Sequence, residues 1–388
     1  MKNNLLLALA LAGLMTAPVF AAGEILEEIN MFVPEDGDPA YKITANEKYG
    51  TQWYADMAYA YWHGHNTSTD VYDKAHLGLV HAVLNQRLIK NELNGGTWLR
   101  AEFYGGWGLD RKSARTSYLV TDGVLSATYP HAEIYGGHDG FLTELAIMHY
   151  FAAQRACVIA GMLDLTGYFD AVGIANDSFS GFTNAGFINS TVLALPEANL
   201  GAVLQYEVND TSYAMLGFSR ETTTCGYNPF DSGTGYMVVG EYGRQILDGA
   251  ATIRLNPFFR HVEDVDGHCN NYGIAASIEY EVNDGLTVFA RSGWSAHQEL
   301  GNAFDFSCGA NISLIPSRED DFFGLALGVI KGCAPTANNR EFVAEAIYSL
   351  QVNDYFKIVP HIQYIANPAY DADNSDAVLM GIQGVFSF

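Results

Sequence analysis

The side chains of this sequence best placed to do chemistry are arginines and carboxylates that recur at every second position within apolar alternation. In the segment 97–108, Arg100, Glu102 and Tyr104 share one face while Leu99, Ala101, Phe103 and Trp107 share the other. In 249–260, Thr252, Arg254 and Asn256 oppose Ile253, Leu255 and Phe259, and in 285–295, Thr287 and Arg291 oppose Leu286, Val288 and Trp294. Glu144, Glu345, His361 and Gln363 are assigned to the same polar face of their own segments. Arginine supplies several donors in a planar fork, carboxylates accept, and Asn or Gln can do both. This set suits hydrogen bonding to a hydrated solute. Covalent chemistry is not expected: there is no nucleophile elbow, phosphate loop or zinc-protease motif, and no catalytic residue is assigned. His63 and His65 stand two apart like a strand-borne metal pair but lack a third ligand, so no metal and no cofactor are expected.

Such faces need strands that meet water on one side and something apolar on the other. The last twelve residues show the pattern most clearly: Val378, Met380, Ile382, Gly384, Phe386 and Phe388 on one face, Ala377, Gln383 and Ser387 on the other. Sixteen segments of this kind are predicted, near 52–64, 76–88, 97–108, 143–152, 155–164, 198–207, 211–221, 236–246, 249–260, 271–281, 285–295, 304–314, 321–331, 341–351, 354–365 and 377–388. Tight turns at Asn209-Asp210, Leu247-Asp248-Gly249, Asn283-Asp284-Gly285 and Asn353-Asp354 alternate with longer loops. The fold class expected is all-β, a transmembrane antiparallel up-and-down barrel of about 16 strands. Short turns, among them 208–210, 282–285 and 352–354, belong at the periplasmic rim, and loops near 228, 265 and 335 belong outside. A charge on the lipid face near mid-membrane costs roughly 2 to 4 kcal/mol, so the charged faces above must look into the lumen.

Composition agrees. Aromatics are 13% of residues, Gly numbers 39, and only 16% are charged, which is low for a soluble surface. The formal charge of -24 argues against nucleic-acid partners. Lys2, the apolar run Leu5 to Leu14 and Val19-Phe20-Ala21 read as a signal peptide over 1–21. Residues 22–51 read as an acidic periplasmic leader or short helix, and 52–388 as the barrel. Export to the outer membrane of a Gram-negative-type cell is implied, with outer-membrane lipid and the assembly machinery as partners and Phe386 and Phe388 as the assembly signal. A second copy of the chain, in a homo-oligomer, is one further partner option.

The loops 109–142 and 165–197 are too long to be connectors. The second is rich in Phe, Asn and Ser with little charge, and is expected to pack inside the barrel as a constriction. Of the five cysteines, Cys157 and Cys308 fall in strands, while Cys225, Cys269 and Cys333 are placed in outer loops, where a disulfide such as Cys225 to Cys269 is one option.

The run Gly167-Tyr168-Phe169-Asp170, with Ile174-Ala175-Asn176-Asp177 and Phe182-Thr183-Asn184 after it, resembles the constriction-loop region of OprB-type carbohydrate-selective porins. The stretches Val288 to Trp294, Arg318-Glu319-Asp320-Asp321, Glu345 with Tyr348, and Pro360 to Ile365 extend the resemblance from about residue 140 to the end. It implies a sixteen-stranded outer-membrane barrel narrowed by inward loops and passive diffusion of small sugars or similar hydrophilic solutes. It also implies that Phe169, Asp170, Asn176 and Asn184 line the narrowing, with the inward residues above forming the rest of the path. The alternative is a general cation-preferring porin without sugar selectivity.

Overall fold

Period-two alternation becomes strand at every place where the sequence shows it. The computed structural model describes residues 44–46, 50–65, 74–90, 96–108, 138–153, 155–221, 235–264, 267–296, 302–315, 317–318, 320–332, 340–370 and 374–388. Its strands are β1 (Thr44–Asn46), β2 (Thr51–His65), β3 (Lys74–Ile89), β4 (Thr97–Gly108), β5 (His138–Phe151), β6 (Ala156–Leu163), β7 (Asn199–Asn209), β8 (Ser212–Glu221) and β9 (Gly235–Ile246). They continue as β10 (Ala251–Asp264), β11 (Gly267–Asn283), β12 (Leu286–Ser295), β13 (Phe304–Ile312), β14 (Phe322–Lys331), β15 (Arg340–Asn353), β16 (Phe356–Ala366) and β17 (Ala377–Ser387). From β2 onward each strand pairs antiparallel with the next, and β17 returns to β2 from Val378↔His65 to Ser387↔Asp56. Sixteen strands thus close a barrel with no free edge. The terminal residue belongs to the seam: the Phe388 N–H donates to the Ala55 carbonyl at 2.9 Å.

The two faces are inverted relative to a soluble protein. Outside, Met57, Leu204, Leu216, Leu327, Met380 and Ile382 are exposed; inside, Asp56, Arg100, Glu241, Asn256, Arg291 and Glu345 are buried. Lipid explains both, since an apolar solvent favours the first set on the surface and strongly disfavours the second there.

Three of the tight turns are one device repeated. In each, an Asn side chain accepts from the backbone N–H two residues on: Asn209 from Thr211 at 3.0 Å, Asn283 from Gly285 at 2.9 Å and Asn353 from Tyr355 at 2.9 Å. Each sits beside a register shift, at Glu207/Asn209, Glu281/Asn283 and Gln351/Asn353, that lets the strand twist into the turn. At the same end the link between β13 and β14 is braced by Arg318, whose Nη2 donates to Asp321 at 3.1 Å, while Asp321 also accepts from the Gln351 N–H at 2.8 Å. That arginine holds the Asp321 carboxyl below its usual value, so the brace persists into acid and is lost as pH falls through the lowered value.

The ladder differs from expectation in places. β5 starts at His138, ahead of the expected 143, and β10 and β11 run to Asp264 and from Gly267. Cys269 therefore pairs with Val262 within a strand instead of lying in a loop, because backbone pairing continues past the membrane whatever the side chains are. Cys225, Cys333 and residues 109–137 lie outside the described residues, as do 1–43 and 47–49. Within the expected leader, Thr44–Asn46 forms a strand paired with Thr51–Trp53.

The turn at Asn283 and the link between Asp264 and Gly267 lie at opposite ends of β11. Single cysteines replacing Asp284 or Val265, on a background without the native thiols, are expected to divide accordingly. An impermeant reagent added to intact cells should label position 265 and leave 284 protected; the reverse result would invert the orientation.

Candidate functional site

β6 ends at Leu163, after only 8 residues, and β7 resumes at Asn199, so the chain between them leaves the wall part-way up the barrel. The segment 164–198 has too little charge to stay in water and turns inward. Asp164 caps the first turn, Leu165–Gly167, its carboxylate accepting from the Thr166 N–H at 2.9 Å. A second turn covers Gly173–Ala175, and a short helix, α1 (Ala185–Ile188), is capped by Asn184, which accepts from the Gly186 N–H at 2.9 Å.

Glycines on the inner wall receive the segment. A Cβ at Gly217 would stand 2.6 Å from the Phe169 ring, one at Gly328 3.2 Å from Phe187, and one at Gly293 2.5 Å from the Ser190 hydroxyl. Phe182 packs between Phe187 and Phe289, with ring centroids 5.8 and 6.2 Å away. These contacts explain why an aromatic-rich loop leaves water. Gly217→Leu is expected to unseat Phe169 at a cost of about 1 to 3 kcal/mol. The folded barrel should still show its heat-modifiable gel shift, with a raised small-ion conductance in planar bilayers; an unchanged conductance would mean that the seat does not set the aperture.

Wall carboxylates then fix the backbone. Glu345 on β15 accepts from the Thr183 N–H at 3.2 Å, the Thr183 hydroxyl at 3.0 Å and the Asn184 N–H at 3.0 Å. It also bonds His361 Nδ1 at 2.9 Å and accepts from Gln363 Nε2 at 2.9 Å. Glu241 on β9 accepts from the Asp170 N–H at 2.8 Å, from the Tyr213 hydroxyl at 2.6 Å and from Asn256 at 2.6 Å. Glu279 on β11 accepts from the N–H groups of Gly173 and Ile174 at 3.1 and 3.0 Å. Asp305 on β13 accepts from Ser190, Thr191 and Val192 at 2.8, 3.0 and 3.2 Å. On β17, Gln383 donates to the Phe179 carbonyl at 2.8 Å.

A single arginine stitches two limbs of the loop together. Arg291 Nε lies 2.8 Å from an Asp170 carboxylate oxygen, Nη1 donates to the Phe187 carbonyl at 2.8 Å, and Nη2 donates to the Asp170 carbonyl at 3.1 Å. The Arg291 and Asp170 side chains are 1% and 0% exposed. Asp170 itself sits at φ 56, a left-handed conformation that Asp tolerates better than most residues and that these bonds hold in place.

Of the residues expected along the path, Arg100, Glu144, Phe169, Asp170, Asn184, Asn256, Arg291, Glu345, His361 and Gln363 are buried, most of them between the loop and the wall. Glu102, Tyr104, Asn176 and Arg254 keep part of their surface open. Arg100 is bonded to Glu144 and, at 2.7 Å, to Glu102, which in turn meets His81 Nε2 at 2.8 Å. Tyr104 reaches the Ser178 hydroxyl at 3.2 Å, and Arg254 lies 3.6 Å from Glu279. His81, Glu241, Glu279 and Asp305 were not singled out from the sequence, and Gln383 was placed on the inward face of the last strand without a role along the path. The same alternation contained them, since each occupies the inward position of its strand.

A family model described as carbohydrate-selective porin, OprB family, matches residues 119–388. A high-pH structure of Pseudomonas putida OprB superposes with a TM-score of 0.72 at 15% identity, covering 90% of this chain and 95% of that one. Outer-membrane expressed OmpT of Vibrio cholerae gives a TM-score of 0.55 at 10% identity, covering 89% and 100%. At such identities these likenesses show the fold alone. A curated relative from Aquifex aeolicus (strain VF5), described as an uncharacterized protein, is 33% identical over 67 residues, and the match spans 22% of its length. Barrel, inward loop and family model agree on a channel architecture, and the chain belongs to the OprB family of carbohydrate-selective porins.

Proposed function

We propose that the protein is an outer-membrane channel through which small sugars diffuse passively, delivered to the membrane by a cleaved signal peptide over 1–21. The observation that carries this reading is the loop 164–198, folded into the lumen of a family-matched barrel and bonded to β4, β9, β11, β12, β13, β15 and β17. So many fixing bonds give the lumen a narrowing of fixed shape, and the family match is what points to sugars as the solutes that meet it. The buried set, with Arg291 and Glu345 at its centre, fixes the aperture; Glu102, Tyr104, Asn176 and Arg254 offer donors, acceptors and an aromatic face to a passing sugar. Binding stays weak, because a pore must release what it holds. Phe386 and Phe388, outward on the closing strand, serve recognition by the assembly machinery.

The general cation-preferring porin is the rival, and the formal charge of -24 favours cations in small-ion current under either reading. Salt at about 0.15 M screens charges beyond roughly 8 Å, which leaves the narrowing itself in control of larger solutes. Liposome swelling separates the two. A sugar channel passes a neutral hexose faster than a neutral non-sugar of equal radius, whereas a general porin sorts both by size and charge alone.

A further inference from the structure

Lys331 at the end of β14 and Arg340 at the start of β15 stand directly opposite one another in the strand register. Both point away from the lumen, because Leu325, Leu327 and Phe342, at the same parity on these strands, are exposed on the outer face. Like charges directly opposite destabilise a strand pair. Among the described residues neither cation makes an ion pair, although the chain holds 44 acidic residues against 20 Lys and Arg. Aromatic side chains lie beside and below them: Phe304 pairs with Lys331 at the same level, Val329 one step below pairs with both Phe306 and Phe342, and all three Phe rings are exposed. Two cations above an apolar, aromatic belt at the long-loop rim match an amphiphile with an anionic head.

We propose that Lys331 and Arg340 bind the phosphate of an anionic lipid in the leaflet at that rim, with the acyl chains lying over Leu325, Leu327, Phe306 and Phe342. Arginine presents a fork to two phosphate oxygens and lysine adds a point charge, so the anion removes the repulsion between them. This inference rests on the barrel spanning a bilayer and not on which solute the pore conducts.

The detergent-solubilised full barrel, titrated with dimyristoyl phosphatidic acid or dimyristoyl phosphatidylcholine and read by native mass spectrometry, tests it. Two cations near a lipid headgroup, each contributing about fivefold, give an expected preference of roughly thirtyfold for phosphatidic acid. Inorganic phosphate should not compete. The preference should vanish in the Lys331→Gln, Arg340→Gln double variant and survive the exchange Lys331→Arg, Arg340→Lys, with the heat-modifiable gel shift showing that each is folded. Should the double variant not fold, Arg340→Gln alone is expected to lose about fivefold. Equal retention of the two lipids by the wild type, an unchanged preference in the Gln variants, or displacement by inorganic phosphate would overturn the assignment.

Discussion

Arg291→Ala is expected to open the pore. The side chain it removes holds a buried carboxylate at 2.8 Å and carbonyls from both limbs of the loop. Breaking a buried pair from one side leaves an uncompensated charge at a cost of about 3 to 5 kcal/mol. Asp170 can escape that cost by moving into the water of the lumen, and the segment around it must move too. Single channels should show a larger small-ion conductance and more current noise than the wild type, with weaker block by sugar. Arg291→Lys keeps the charge but not the planar fork, so it should fall between the two. Arg291→Ala combined with Asp170→Ala removes both charges and should recover part of the wild-type behaviour. Equal conductance in all four channels would mean that the pair does not hold the loop.

Glu345→Ala should release the other limb. Five donors meet that carboxylate, from Thr183, Asn184, His361 and Gln363. Each one left buried without an acceptor costs about 1 to 3 kcal/mol, less whatever water recovers. Hydrogen exchange at Thr183 and Asn184 is expected to rise by orders of magnitude while the strand amides of β15 and β16 stay protected. Glu345→Gln keeps the shape but turns an amide N–H₂ towards donors, and should exchange at an intermediate rate. Because Arg291 and Glu345 hold the same segment, the double variant should be less perturbed than the two single effects added together. Protection unchanged in Glu345→Ala would show that packing of Phe182 and Phe187 alone secures the limb.

The barrel could be read from the sequence because lipid imposes a rule on every strand: one face apolar, the other not. Val378 to Phe388 and Leu99 to Phe103 obey it without reference to any distant residue. The turns were legible for an equally local reason, since Asn209, Asn283 and Asn353 each bond their own backbone two residues on. The inward loop showed itself through length and a composition poor in charge. Parity states which side of the wall a residue faces, however, and nothing about its cover. Arg291, Glu345 and Gln363 were therefore expected beside the solute, whereas the structure puts them behind the loop at 1% exposure each. The seats at Gly217, Gly293 and Gly328 were invisible for another reason. Among 39 glycines nothing local marks those that face a loop side chain distant in sequence, and only the folded loop identifies them.

The fixed loop is expected to make the pore selective. The most direct measurement is the block of small-ion current by a neutral hexose, compared in single wild-type channels and in channels whose residues 171–194 are replaced by a short Gly-Ser link. Concentration-dependent block in the wild type, its loss together with a higher conductance in the shortened channel, and no block of either by a neutral non-sugar of equal radius are the results expected. The same sugar block in both channels, or block of the wild type by the non-sugar as well, would contradict it.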